Sequence, residues 1–182
     1  MAKRPNLNVD QRHHLARLVH LALQGSGVDQ DQARLVLAAF FEDLSAWCEP
    51  DWFTLGYTGW RGADRAKVRA DLTARRIEVG PLRLIVGFDP VKRTPRGGDL
   101  HAYEWGMEAP GVIVECLPAP WHLEELGHSA GPIRNGALVE RVAAAPGPKA
   151  MLAHLHPASR GAAGTAAYAT WRDLTVWKES AV

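Results

Sequence analysis

A chain of 182 residues, 47% apolar and 23% charged, has the size and composition of one globular domain. Its net charge of +1, from 21 Lys and Arg against 20 Asp and Glu, argues against a generally polyanion-binding protein. Two cysteines, Cys48 and Cys116, are too few for a disulfide framework. No apolar run approaches the ~18 residues a membrane span requires. The basic start Met1–Pro5 leads into no apolar signal core, so a cytoplasmic address without membrane association is expected.

Residues 1–9 read as a flexible tail ahead of a single domain over 10–182, with 118–120 as the place where a subdivision would fall. A first helix is expected over 10–24, where Leu15, Leu18, Val19 and Ala22 hold the i, i+3, i+4, i+7 spacing. A second opens at Asp29, with Gln32 as its capping-box partner. Ala33, Val36, Leu37, Phe40, Phe41, Leu44, Trp47 and Cys48 keep its apolar stripe until Pro50 stops it. The two form a helical hairpin that needs a further layer to cover it.

Alanine content favours a helix over 62–76, although Val68, Ala70, Leu72 and Ala74 alternate as in a strand. Ile77–Val79 and Leu82–Phe88 around Gly80-Pro81 read as two strands and a turn. Ala102–Trp105 and Gly111–Leu117 supply two more strands. Helical patterns follow at 121–127 and 136–145, and Pro146-Gly147-Pro148 is a break. Residues 149–156 fit a strand or a helix, 157–164 a loop, and Leu174 and Trp177 anchor a terminal element. The expected fold is α+β: an N-terminal helical hairpin on a small antiparallel sheet, with further helices in the C-terminal third.

Charge is uneven along the chain. Residues 61–100 carry ten basic side chains against five acidic, whereas 101–130 hold five glutamates and no Lys or Arg. The two segments either pair within the fold or present a basic face and an acidic face to partners. In the second case Arg61, Arg65, Lys67, Arg69, Arg75, Arg76, Lys92, Arg93 and Arg96 are the phosphate-contacting candidates. Trp105, Trp121 and Glu124 are the candidates for a protein interface.

No constellation with the spacing of a known catalytic motif emerges. His122, Glu125 and His128 fall at successive i, i+3 offsets, the ligand types zinc or iron would take, but Gly127 interrupts the helix they need. His154 and His156 alternate as on one strand face, with His101 as a third candidate ligand. Cys116 lies in an apolar strand, where a thiol acts as a small hydrophobe. Ser159-Arg160-Gly161-Ala162-Ala163-Gly164-Thr165 reads first as a surface loop. If it opens a helix, its amides can cradle a phosphate, although it has neither the P-loop lysine nor a dinucleotide glycine spacing.

The order of elements over 12–90 resembles the HU/IHF family of DNA-bending proteins, in which a helical hairpin leads through a Gly-aromatic-Gly turn to a basic β-arm. The similar pieces are Gly27-Val28-Asp29, Ala39-Phe40, Leu55-Gly56-Tyr57-Thr58-Gly59-Trp60 and Phe88-Asp89-Pro90. Ala70-Asp71-Leu72-Thr73 stands where the family has Arg-Asn-Pro, the turn is one residue out of step, and half the chain has no counterpart. The likeness adds to a nucleic-acid reading without assigning membership.

The sequence alone therefore favours a non-enzymatic protein that acts by contact with another protein, or by self-association, in an assembly or regulatory complex, with no cofactor. A nucleic-acid-associated protein using the basic segment 61–96 is the first alternative. A metal-dependent enzyme built on His122, Glu125 and His128 is the second.

Overall fold

The computed structural model describes Ala22 and residues 52–90, 96–120 and 123–182, with only the backbone of Glu124. Strands and helices alternate: β1 (Phe53–Gly59), α1 (Arg65–Val79), β2 (Leu82–Val86), α2 (Gly98–Glu108) and β3 (Val112–Cys116). A 3-10 stretch, Glu124–Ser129, then leads into α3 (Ala130–Ala143), β4 (Lys149–Leu155), α4 (Arg160–Trp171) and β5 (Thr175–Ser180). The five strands form one sheet in the order β3-β2-β1-β4-β5. Every neighbouring pair is parallel, with Leu55 opposite both Leu84 and Ala150, Leu84 opposite Val114, and Leu152 opposite Trp177.

The parallel arrangement follows from how the strands are buried. β2 and β3 are buried along their whole length and β1 and β4 through their middles, so both sheet faces must be covered. One core joins Leu55, Tyr57, Leu84, Val86, Val114 and Leu152 of the sheet to Val68 and Leu72 of α1 and Ala102 and Trp105 of α2. The other joins Ile85 and Met151 to Leu138, Val139 and Val142 of α3 and Ala169 of α4. Helices thus lie on both faces, a doubly wound α/β arrangement.

The expected α+β fold with an antiparallel sheet is overturned. Gly80-Pro81 is a helix-to-strand connection: Gly80, at φ 84°, closes α1, its N–H donating to the Arg76 carbonyl at 3.2 Å. Ile77–Val79, read as a strand leading into the Gly80-Pro81 turn, is the last turn of α1. Ala102–Trp105, also read as a strand, lies in α2, whose helical turn carries Ala102, Tyr103 and Trp105 into the core. The helix expected over 62–76 is present as α1; the Asp64 side chain caps it by accepting from the Lys67 N–H at 2.8 Å. Where a DNA-bending arm would follow the Gly-aromatic-Gly turn, the chain forms β1 and then this helix. The helical hairpin over 10–49 and the tail 1–9 lie outside the described residues, Ala22 apart.

The resemblance to the DNA-bending family puts a Gly-aromatic-Gly turn at 55–60, yet Gly56 and Gly59 both sit inside β1 for packing reasons. A Cβ on Gly56 would meet Met151 and Val142, and one on Gly59 would meet the Tyr57 hydroxyl and the Gly98 backbone. Among the described residues no helix is long and apolar enough to cross a membrane.

Candidate ligand-binding site

From β1 the chain winds outward through β2 to β3, then returns across the sheet to β4 on the other side of β1. The order therefore reverses between β1 and β4, and open α/β sheets bind ligands outside the carboxyl ends of such strands. Two loops meet there. The one after β1 carries Trp60, whose ring stacks on His156 of the loop after β4, centroids 3.8 Å apart and planes within 9°. Its N–H donates to the His154 carbonyl at 3.1 Å.

Beyond His156 the chain turns into α4. Ser159 caps this helix by accepting from the Ala162 N–H at 3.4 Å, so the segment read first as a loop is largely a helix start. Between its opening turns and the opening turns of α3 lies a cavity of about 290 Å³. Pro132, Asn135 and Gly136 line it from α3, and Arg160, Gly161, Gly164, Thr165 and Tyr168 from α4. The three glycines are the informative members. Gly136 and Gly164 sit in helix interiors, where glycine costs about 1 kcal/mol relative to alanine, and Gly161 in the first turn of α4. A Cβ on Gly136 or Gly164 would meet nothing within 4 Å, and one on Gly161 only the Asn135 amide at 3.9 Å. None of them has a positive φ. Neither packing nor backbone conformation calls for glycine here; what glycine does is leave backbone bare to the cavity.

Away from the cavity, α3 sends Arg134 to the residue just beyond β2. Its guanidinium occupies the space left by the missing side chain of Gly87, donates to the Gly87 carbonyl, and lies 3.5 Å from the Asp99 carboxylate at the start of α2. The Asp99 side chain is 9% exposed. Burial pushes its carboxyl up to about 6, against the lowering pull of Arg134, the Gly59 backbone and Arg61. Asp99 Oδ1, Arg134 Nε and the Tyr57 hydroxyl are buried without a hydrogen-bond partner among the described residues. Burial, with the charges of Asp99 and Asp71, also holds Tyr57 well above the ordinary phenol range.

A second polar pair lies under α1. His154 Nε2 is 2.8 Å from Asp71 Oδ2, which also accepts from Lys67 at 3.1 Å. Burial lowers the pKa of His154, against the raising pull of the Asp71 carboxylate. His154 and His156 thus do not share a strand face, since His156 lies beyond β4 and stacks on Trp60. His101, half-buried on α2, is a separate group whose pKa burial also lowers.

The basic candidates pair with the acidic segment. Arg65 meets Glu104 at 3.3 Å, Arg69 meets Glu108 at 2.5 Å, and Arg75 bridges Glu78 at 2.8 Å and Glu179 at 3.3 Å while lying over Trp177. Arg76 donates to the Pro110 carbonyl at 3.3 Å, and Lys67 is held by Asp71. Arg61 and Arg96 are exposed; Lys92 and Arg93 lie outside the described residues. Of the interface candidates, Trp105 is 4% exposed and donates its indole N–H to Thr73 at 3.0 Å, which makes it core. Trp121 and the side chain of Glu124 lie outside the described residues. Of the metal candidates, His122 lies outside them too. Glu125 and His128 are exposed on a 3-10 stretch broken at Gly127 (φ 46°, ψ −126°), where a regular helix was expected. Among the described residues no three of His, Cys, Asp or Glu gather in a way that could hold a metal ion.

Sequence reasoning missed Asp99, Arg134, Asn135 and Tyr57, which it had no motif to flag. Their common signal is topological, since each lies at or near the carboxyl edge of the sheet. No protein-family model, curated protein or solved structure matches this chain.

Proposed function

We propose that the chain binds a small, phosphate-bearing molecule in the cleft between α3 and α4, at the carboxyl edge of the sheet. The observation that carries this reading is the trio of helical glycines that expose backbone to the cavity with no demand from packing or φ. Close approach of a ligand to backbone is what such glycines permit. The opening turn of α4 offers amide groups and the positive end of the helix dipole, which favour a phosphate. Arg160 adds a charge there, and Asn135 and Thr165 add hydrogen-bonding groups. A cavity of about 290 Å³ is near the lower end of the range for small-molecule sites.

The other readings draw less support. Nucleic-acid binding through 61–96 would have to break the ion pairs that already engage Arg65, Arg69 and Arg75. A protein contact through 101–130 would lack Trp105, which is spent in the core.

Thermal unfolding with inorganic phosphate, pyrophosphate, AMP and ADP tests the proposal. A ligand at 100 times its Kd stabilises by about 2.7 kcal/mol, so at least one should raise Tm in a dose-dependent way. Gly164→Leu, which fills the cavity from a position with open space around it, should abolish the shift while leaving the unliganded Tm at or somewhat above that of the parent. No shift from any of the four, or an equal shift in G164L, contradicts the proposal.

A further inference from the structure

We infer that the molecule taken by the α3–α4 cleft is a nucleoside monophosphate, with its base against the ring of Tyr168. The inference rests on the reading of the cleft as a phosphate site, and it concerns the end of the cavity away from the helix starts. The lining residues Gly161, Gly164, Thr165 and Tyr168 form one stripe along α4, at the helical spacing of three and four residues. Tyr168 stands about 10 Å along the helix axis from Gly161. A phosphate at the first turn of α4 therefore leaves the Tyr168 end to whatever the phosphate is attached to.

The shape of that end suits a flat ring. Gly136 of α3 and Gly164 of α4 line the same cavity, and a Cβ on either would meet nothing within 4 Å. Bare backbone thus bounds a slot from both helices. Tyr168 closes the slot, and its ring is held from two directions. Its hydroxyl donates to the Glu140 carboxylate of α3, which also accepts from Arg172 at 2.8 and 2.9 Å. Trp171 stacks against the same ring, centroids 5.6 Å apart and planes within 17°.

A helical side chain leans toward the start of its own helix, so Tyr168 leans toward Gly164, and Trp171, which does not line the cavity, lies behind it. Because the hydroxyl is already committed to Glu140, what Tyr168 offers a ligand is the face of its ring. Aromatic faces take nucleobases by stacking. Asn135 supplies amide donors and an acceptor for a base edge or a ribose hydroxyl. A sugar phosphate would leave both the slot and the ring unused. A cavity of about 290 Å³ suits one base and one phosphate better than a dinucleotide.

Calorimetry on the full chain with AMP, ribose 5-phosphate and adenosine separates the two ends of the cleft. AMP should bind at least about tenfold tighter than ribose 5-phosphate, the advantage that stacking a base on an aromatic ring confers. Tyr168→Leu should remove most of that advantage and leave ribose 5-phosphate binding unchanged. Tyr168→Phe, which keeps the ring, should retain it. In the parent, proton NMR should show the adenine resonances of bound AMP moved upfield by the ring. Equal affinity for AMP and ribose 5-phosphate, or a ratio of the two that is unchanged in Y168L, overturns the base contact and leaves the phosphate site standing. Adenosine binding as tightly as AMP overturns the phosphate reading and leaves the base contact standing. The absence of binding by all three overturns both.

Discussion

Glu115 sits near the carboxyl end of β3, 3% exposed, and accepts from two arginines: Arg83 of β2, itself 5% exposed, at 2.9 Å and Arg141 of α3 at 2.7 Å. Removing one member of such a buried group strands the charge of the other, which costs about 3–5 kcal/mol. Glu115→Ala should therefore lower the unfolding free energy by about that amount in urea titrations, and a loss under 1 kcal/mol would contradict this account of the core. Asp99 carries the opposite kind of strain. Its folded pKa of about 6 lies above the ordinary value near 3.9, so the folded chain holds the proton over that window and the unfolded chain has lost it. Stability from this group is greatest below about pH 4, falls as pH rises toward about 6, and is level above. Two pKa units correspond to about 3 kcal/mol. The difference between the stability profiles of the parent and D99N should show that fall, and superimposable profiles would sink the assignment. Neither residue was legible beforehand. Glu115 reads as one polar position in Val112–Cys116, and nothing local tells a solvated carboxylate from one buried between two guanidinium groups.

At the scale of elements, the sequence was legible where one periodicity or one capping signal dominated. Leu82–Phe88 and Gly111–Leu117 were read as strands and contain β2 and β3; the alanine-rich 62–76 and the pattern at 136–145 overlap α1 and α3. It failed where tertiary packing overrode composition. Ile77 is 78% exposed at the end of α1, so its β-branched side chain gains nothing there from the strand-like pattern it suggests. β1 was hidden because its two glycines answer to Met151, Val142 and Tyr57, residues close in space and two of them far in sequence. The cleft glycines answer to nothing in the fold, and that difference can be measured. Gly164→Ala should stabilise the unliganded chain by about 0.5–1 kcal/mol, because it removes a helix-interior glycine without creating a contact. A destabilising G164A would mean that the cleft is shaped by packing after all.

The sheet's direction was the largest thing the sequence concealed. Strands joined by Gly80-Pro81 look like a hairpin, and only the recognition that 77–79 continues a helix turns the same residues into a βαβ unit with its crossover. Once parallel, the topology alone brings the opening turns of α3 and α4 to one edge, and so places Arg160 and Asn135 at a common cavity. It also explains the charge pattern, since α1 and α2 lie side by side and Arg65 and Arg69 of one meet Glu104 and Glu108 of the other. Exposed pairs of this kind contribute little stability each, but they occupy the side chains that a polyanion would need. The central claim is that the molecule acts through the α3–α4 cleft, and an amide NMR titration with pyrophosphate tests it most directly. The account predicts saturable shifts concentrated in residues 160–165 and 132–136; shifts confined to the basic stretch 61–76, or none at all, would contradict it.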